Sequence, residues 1–229
     1  MFDNTPVLGR SESALESTNK VLRNTYALLG LTMIPTVIGA FIGMSMNFSF
    51  AQQHPFIFAI GAIAVMYGMF AAIAANRNSS VGVVLLLGLT FLLGLMLGPI
   101  LQHALHLSNG AQIVGLAAGG TGIILFSLAS FAATSKKDFS FMSKFLLVGI
   151  VLLILASLAN IFLQIPAMTL AISAIGVILF SGFILFDVSR IVNGGETNYI
   201  MATLSLYMSI YNLFTSLLQL LMGLMGNDD

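Results

Sequence analysis

Seven apolar runs organise this chain, and short polar breaks separate them. The runs fall at 25–46, 55–75, 81–101, 111–134, 144–163, 167–188 and 200–225. A transmembrane helix needs about 20 mostly apolar residues. The pattern therefore predicts an all-α, polytopic membrane protein: one seven-transmembrane-helix bundle over 25–225. The breaks are brief, so consecutive helices are expected to be antiparallel neighbours, with no room for a second domain. Ahead of the first run, 1–24 reads as a polar tail with the composition of a disordered segment, and 226–229 as a short tail at the other terminus. The first run is too long for a cleaved signal and is expected to remain as a span.

Composition agrees with the runs. Only 7% of residues are charged and 58% are hydrophobic, with a mean hydropathy of +1.02. A soluble domain carries roughly 25% charged residues to meet water, so most of this surface must meet lipid. Net charge is zero and cysteine is absent. Nucleic-acid binding, disulfides and thiolate chemistry are thereby set aside.

Charge placement orients the bundle. Arg10, Lys20 and Arg23 precede the first run, Arg77 follows the second, Lys136, Lys137 and Lys144 follow the fourth, and Arg190 follows the sixth. These are all 8 basic residues, and all fall on one side. Positive residues favour the cytoplasm, which predicts a cytoplasmic N-terminus and a periplasmic C-terminus.

Helices in lipid associate through close packing of small residues and interhelical hydrogen bonds. Gly39 with Gly43, Gly94 with Gly98, and Gly115 with Gly119 are spaced for such contacts. Pro35 removes one helical hydrogen bond and predicts a kink. Gly119-Gly-Thr-Gly122 looks like a phosphate loop, but lies deep in an apolar run with no lysine after it. It is read as packing.

Polar residues inside the runs are the candidates for function, because each is costly in lipid. Asp187 is the single acidic residue within a run. It reads either as an ion pair with Arg190, one turn on, or as a titratable gate or ion site. On the seventh run Ser205, Ser209, Asn212, Ser216 and Gln219 recur at helical spacing on one face. They serve interhelical hydrogen bonds or wall a hydrated cavity. Asn160 and Gln164, four residues apart on the fifth run, are candidates for the same space at its outer end.

His54, His103 and His106 fall in the breaks on the far side; they are read as scattered loop histidines, and no metal site is assigned. Zinc-helix, nucleophile-elbow and phosphate-loop motifs are absent. No histidine lies inside a run to act as a base, and an aspartyl intramembrane protease needs two carboxylates. The chain is expected not to be an enzyme, to carry no cofactor and to have no small-molecule substrate.

Five stretches carry a resemblance to a known family. They are Leu22-Arg-Asn-Thr-Tyr26, Leu97-Gly-Pro-Ile-Leu101, Ala159-Asn-Ile-Phe-Leu-Gln-Ile-Pro-Ala167, Gly194-Gly-Glu-Thr-Asn-Tyr-Ile200 and Ser205-Leu-Tyr-Met-Ser-Ile-Tyr-Asn-Leu-Phe214. The chain resembles the transmembrane Bax inhibitor motif family, and more closely its bacterial YccA branch. The loop Gly194, Gly195, Glu196, Asn198 and Tyr199 is its most specific part.

Two functions come with that resemblance. The wider family looks like pH-sensitive calcium leak channels whose sensor is a pair of aspartates on the sixth and seventh helices. The first matches Asp187; the second falls at Ser209, so the coupled titration of a dyad is lost. The YccA branch is instead similar to modulators of FtsH, the ATP-dependent protease of the bacterial inner membrane. The leading expectation is therefore a modulator of FtsH-dependent proteolysis, serving membrane-protein quality control and acting through helix faces and the N-terminal tail. Its partners would be membrane lipid and the FtsH complex. The alternative is a cation leak channel gated around Asp187, with Ca2+ as the transported ion.

Overall fold

The computed structural model describes residues 7–49, 53–135 and 137–226. Seven long helices run through them: α1 (Val7–Ser45), α2 (Pro55–Ala75), α3 (Ser80–His106), α4 (Gly110–Ser135), α5 (Met142–Leu163), α6 (Pro166–Val192) and α7 (Tyr199–Met225). Every one includes a stretch long and apolar enough to cross a membrane. The fold is the expected all-α multi-pass bundle. In hydrocarbon a helix satisfies its own backbone hydrogen bonds, so this form is forced on apolar runs of this length.

Helix ends follow local backbone chemistry rather than the end of the apolar run. Pro55 and Pro166 open α2 and α6 at positions where a missing N–H costs nothing. Gln164 closes α5 at φ 51°, with Asn160 Oδ1 accepting from Ile165 N at 3.0 Å. Gly194, at φ 74°, ends α6; its N–H bonds Ile191 O and that of Gly195 bonds Arg190 O. Those two bonds satisfy carbonyls of the last turn.

Three helices run more than three residues past their apolar runs at one end. α3 carries on to His106, which puts His103 and His106 in its final turns instead of in a loop. α6 continues to Val192. At the N-terminus, α1 begins at Val7, so most of the segment expected to be disordered is helical. A helix already nucleated in the membrane extends into a polar stretch without a new nucleation cost. Residues 1–6 and 227–229 lie outside the described residues.

The neighbour expectation needs correction. Among the described residues α1 packs on α3, not on α2, and α4 packs on α6 and α7, not on α5. Close approach decides this. A methyl group at Gly39 would overlap the Phe91 carbonyl, one at Gly94 the Thr36 carbonyl, and one at Gly98 the backbone of Gly43. The first two glycine pairs thus interlock α1 with α3. The third pair does not: Gly115 and Gly119 have nothing within 4 Å of where a Cβ would sit. Pro35 is accommodated inside α1, which continues through it.

α7 lies at the centre, in contact with α1, α2, α3, α4 and α6. Its Ile200, Leu206, Tyr207, Leu213 and Leu218 are essentially without solvent exposure. α2 and α5 are peripheral: in an 18-residue apolar stretch of each only 6% of residues are buried, against 44% in α3. Their exposed phenylalanines, isoleucines and leucines suit a lipid-facing role. Phe56 of α2 and Phe162 of α5 stack at 5.5 Å between ring centres.

Candidate functional site

Asp187 is the centre of the buried polar chemistry. It sits on α6 and is 5% exposed. Two serines one turn apart on α7 hold it: Ser205 Oγ donates to Oδ1 at 2.7 Å and Ser209 Oγ to Oδ2 at 2.9 Å. Each carboxylate oxygen therefore has one donor. The spacing of 205 and 209 puts both hydroxyls on one face of α7, and the close packing of α6 on α7 brings that face to Asp187.

Arg190 does not pair with Asp187. Its guanidinium turns to the loop, where Nη2 lies 3.3 Å from Glu196 Oε2 and Nε bonds Gly195 O at 3.3 Å. The bend after Gly194 returns Glu196 to the end of α6, and this short loop captures the arginine. The ion-pair reading of Asp187 with Arg190 is overturned on that ground.

The loop motif is a clasp for one end of the bundle. Asn198 Oδ1 accepts from the N–H groups of Ile200 and Met201, capping α7. Its Nδ2 donates to Arg77 O and Asn78 Oδ1 in the α2–α3 connection, both at 2.8 Å. Glu196 Oε1 accepts from Asn198 N at 2.9 Å. Tyr199 starts α7, and its carbonyl accepts from Thr203 Oγ1. On the other flank Ser189 Oγ donates to Lys137 O and accepts from Phe139 N, each at 3.1 Å. In that α4–α5 connection Ser140 donates through Oγ and N to Asp138 Oδ1, holding this carboxyl below its usual range.

The rest of the α7 stripe faces a different space. Asn212, Ser216 and Gln219 line a hollow of about 310 Å³ with Ser157 of α5 and Ser173 and Phe180 of α6. Gln219 also reaches a second hollow of about 560 Å³ nearer the end away from the basic loops, shared with Asn160, Gln164, Thr169 and His103. Asn160 Nδ2 donates to Thr169 Oγ1 at 2.7 Å, and Ser173 Oγ to Gln219 Oε1 at 3.2 Å. Asn212 Nδ2 spends a donor on Met208 O. The stripe thus divides into a lower pair on Asp187 and an upper trio on the hollows, with Asn212 three residues from Ser209.

Thr169 and Ser173 were missed, although their spacing of four on one run is the same signal that marked α7. The hydroxyl chain from Thr36 to Tyr207 (2.7 Å) and the bond from Tyr211 to Leu93 O (3.2 Å) were also missed. Nothing in the pattern separates those tyrosines from lipid-facing aromatics. Among the described residues no three His, Cys, Asp or Glu side chains gather as a metal site.

Comparison with known proteins adds a second line. Residues 18–227 match the family model described as inhibitor of apoptosis-promoting Bax1. The chain is 43% identical to an uncharacterised membrane protein of Vibrio cholerae, covering 99% of this chain and 100% of the relative. It is 42% identical to the modulator of FtsH protease YccA of Escherichia coli K12, covering 91% and 92%. An uncharacterised protein of Pseudomonas aeruginosa is 43% identical over 91% of each chain.

Proposed function

Because the chain belongs to the family of inhibitors of apoptosis-promoting Bax1, we propose that this multi-pass inner-membrane protein modulates FtsH-type proteolysis and acts by binding, not catalysis. The observation that carries the reading is the nearly full-length likeness to the Escherichia coli modulator. The site chemistry is compatible: Asp187 is engaged on both oxygens by serines, and Ser209 occupies the place where the channel members' second aspartate is expected.

The basic end of the bundle is taken as cytoplasmic. On that reading the part of α1 before Thr18 forms a helical extension on the cytoplasmic side, about 16 Å long at about 1.5 Å per residue. An ATP-dependent protease works from that side and would meet this helix first. Deleting residues 1–20 is expected to abolish co-purification with FtsH. It is also expected to return the half-lives of FtsH's membrane substrates to those in cells lacking the chain. Unchanged association together with unchanged half-lives would remove the extension from the mechanism.

A second reading rests on the polar hollows between α5, α6 and α7 and on Asp187 beyond them. Under it the chain leaks cations, calcium included, with Asp187 at the gate. Calcium flux into liposomes is then expected to change with pH across the neutral range. Asp187→Asn should alter that response, and Ser209→Asp should steepen it by setting a second carboxylate beside the first. Flux at background for all three proteins would leave the binding role alone.

A further inference from the structure

One groove in the bundle lies apart from the polar chemistry around Asp187. It lies between α1 and α4, has a volume of about 610 Å³, and is walled by Leu22, Tyr26 and Met33 on one side and by Leu125 and Ala129 on the other. Ile210 of α7 forms its floor. Among the described residues α1 and α4 do not pack on each other, so the groove opens sideways. A smaller cavity of about 180 Å³ shares Met33, Ala118, Thr121 and Ile210 with it and leads inward to Tyr207.

We propose that this groove is a lipid site: it seats one acyl chain of an anionic phospholipid from the leaflet on the basic side of the bundle, with the phosphate at Arg23. Length is the first argument. From Leu22 to Met33 a helix rises about 16 Å, and one leaflet is half of a hydrocarbon core of about 30 Å. The groove thus spans a single leaflet.

Wall chemistry is the second. Thr121 Oγ1 donates to Ala117 O, Thr36 Oγ1 to Thr32 O and Tyr211 Oη to Leu93 O. Since Thr36 has spent its proton, Tyr207 donates to Thr36. Thr121 thus has no proton left for a ligand in the groove, nor have the hydroxyls of the smaller cavity. Tyr26 and Ser130 are the groove's other polar side chains, and the remaining lining is aliphatic, aromatic or glycine, which suits hydrocarbon.

Charge is the third. Arg23 is exposed, follows the groove-lining Leu22 and, seven residues before Gly30, shares Gly30's face of α1. Lys20 is exposed one turn earlier, and Lys137 follows α4 by two residues. Asp138, next to Lys137, is held by Ser140. Finally, Gly30 and Gly122 line the groove with nothing within 4 Å of a Cβ position. Their missing side chains keep space open that no protein atom uses.

The test is photo-crosslinking in liposomes with a phosphatidylglycerol carrying a diazirine midway along one acyl chain, mapped by peptide mass spectrometry. Adducts are expected to concentrate in residues 22–33 and 118–133. Gly30→Leu with Gly122→Leu should abolish them. Gly119→Leu, an equally open glycine outside the groove lining, should leave them intact. Arg23→Gln should lower labelling about five-fold, the share of one basic residue near an anionic surface. A phosphatidylcholine probe should label weakly.

Adducts spread over α2 and α5 in proportion to their exposure would overturn the proposal. So would equal labelling by the two lipids, or adducts joining the groove to another polypeptide. If the double leucine variant fails to fold, the wild-type map and Arg23→Gln still decide.

Discussion

Gly94→Val is expected to unfold the α1–α3 half of the bundle, lowering stability in detergent by about 3 kcal/mol or more. At Gly94 a Cβ meets the backbone carbonyl of Thr36, with the Thr36 Cα and carbonyl carbon close behind. Backbone cannot rotate away as a side-chain tip can, so the helices must separate. The loss would spread, because Gly39, Gly43 and Gly98 share the same contact and would lose it together. In lipid the separated faces regain little, since helices there are held by packing rather than by exclusion of water. Thr36 also bonds Tyr207 on the central helix, so the shift would reach α7. Reversible denaturant unfolding measures the effect, with Gly115→Ala as the control. That control should be neutral or gain up to about 1 kcal/mol of helix propensity. Equal stability of Gly94→Val and wild type would refute the interlock.

The second large effect concerns Asp187. Ser205→Ala with Ser209→Ala removes both donors and leaves the carboxylate in a dry site. A loss of about 3 kcal/mol is expected, because an unmet buried polar group costs more than the bond it lost. Adding Asp187→Leu to the same pair should bring stability back to within about 1 kcal/mol of wild type, since replacing all partners by apolar groups is nearly neutral. This non-additivity is the signature of a direct contact. If the double variant were as stable as wild type, the serines would be spectators, and Asp187 would find its donors elsewhere. Stability is read on the same denaturant curves, so the result does not depend on which function the chain performs.

Much of the molecule was written in its linear pattern. Seven spans, the multi-pass class and the grouping of all 8 basic residues at one end follow from hydropathy and charge. Both are properties of short windows. Asp187 and the α7 stripe were legible for a related reason: a polar residue in an apolar run is conspicuous, and helical spacing reveals its face. Partners were not legible. Arg190, one turn from Asp187, was the nearest candidate by sequence, but a glycine-closed turn gives it to Glu196. Serines some twenty positions later took the carboxylate instead.

Neighbour order was hidden for a similar reason. Short loops oblige helices to be antiparallel, but they do not oblige them to touch. α1 leaves α2 for α3 because backbone can approach backbone only where glycines on two helices coincide. Spacing within one helix cannot report that coincidence; Gly115 and Gly119 have the right interval and face nothing. The groove between α1 and α4 is the converse case, a space created by two helices that both lean on α7 and not on each other. Periodicity and composition act along the chain and so are readable from it. Contacts, hollows and the partner of a buried charge depend on which helix faces meet, and that is settled only when all seven pack at once.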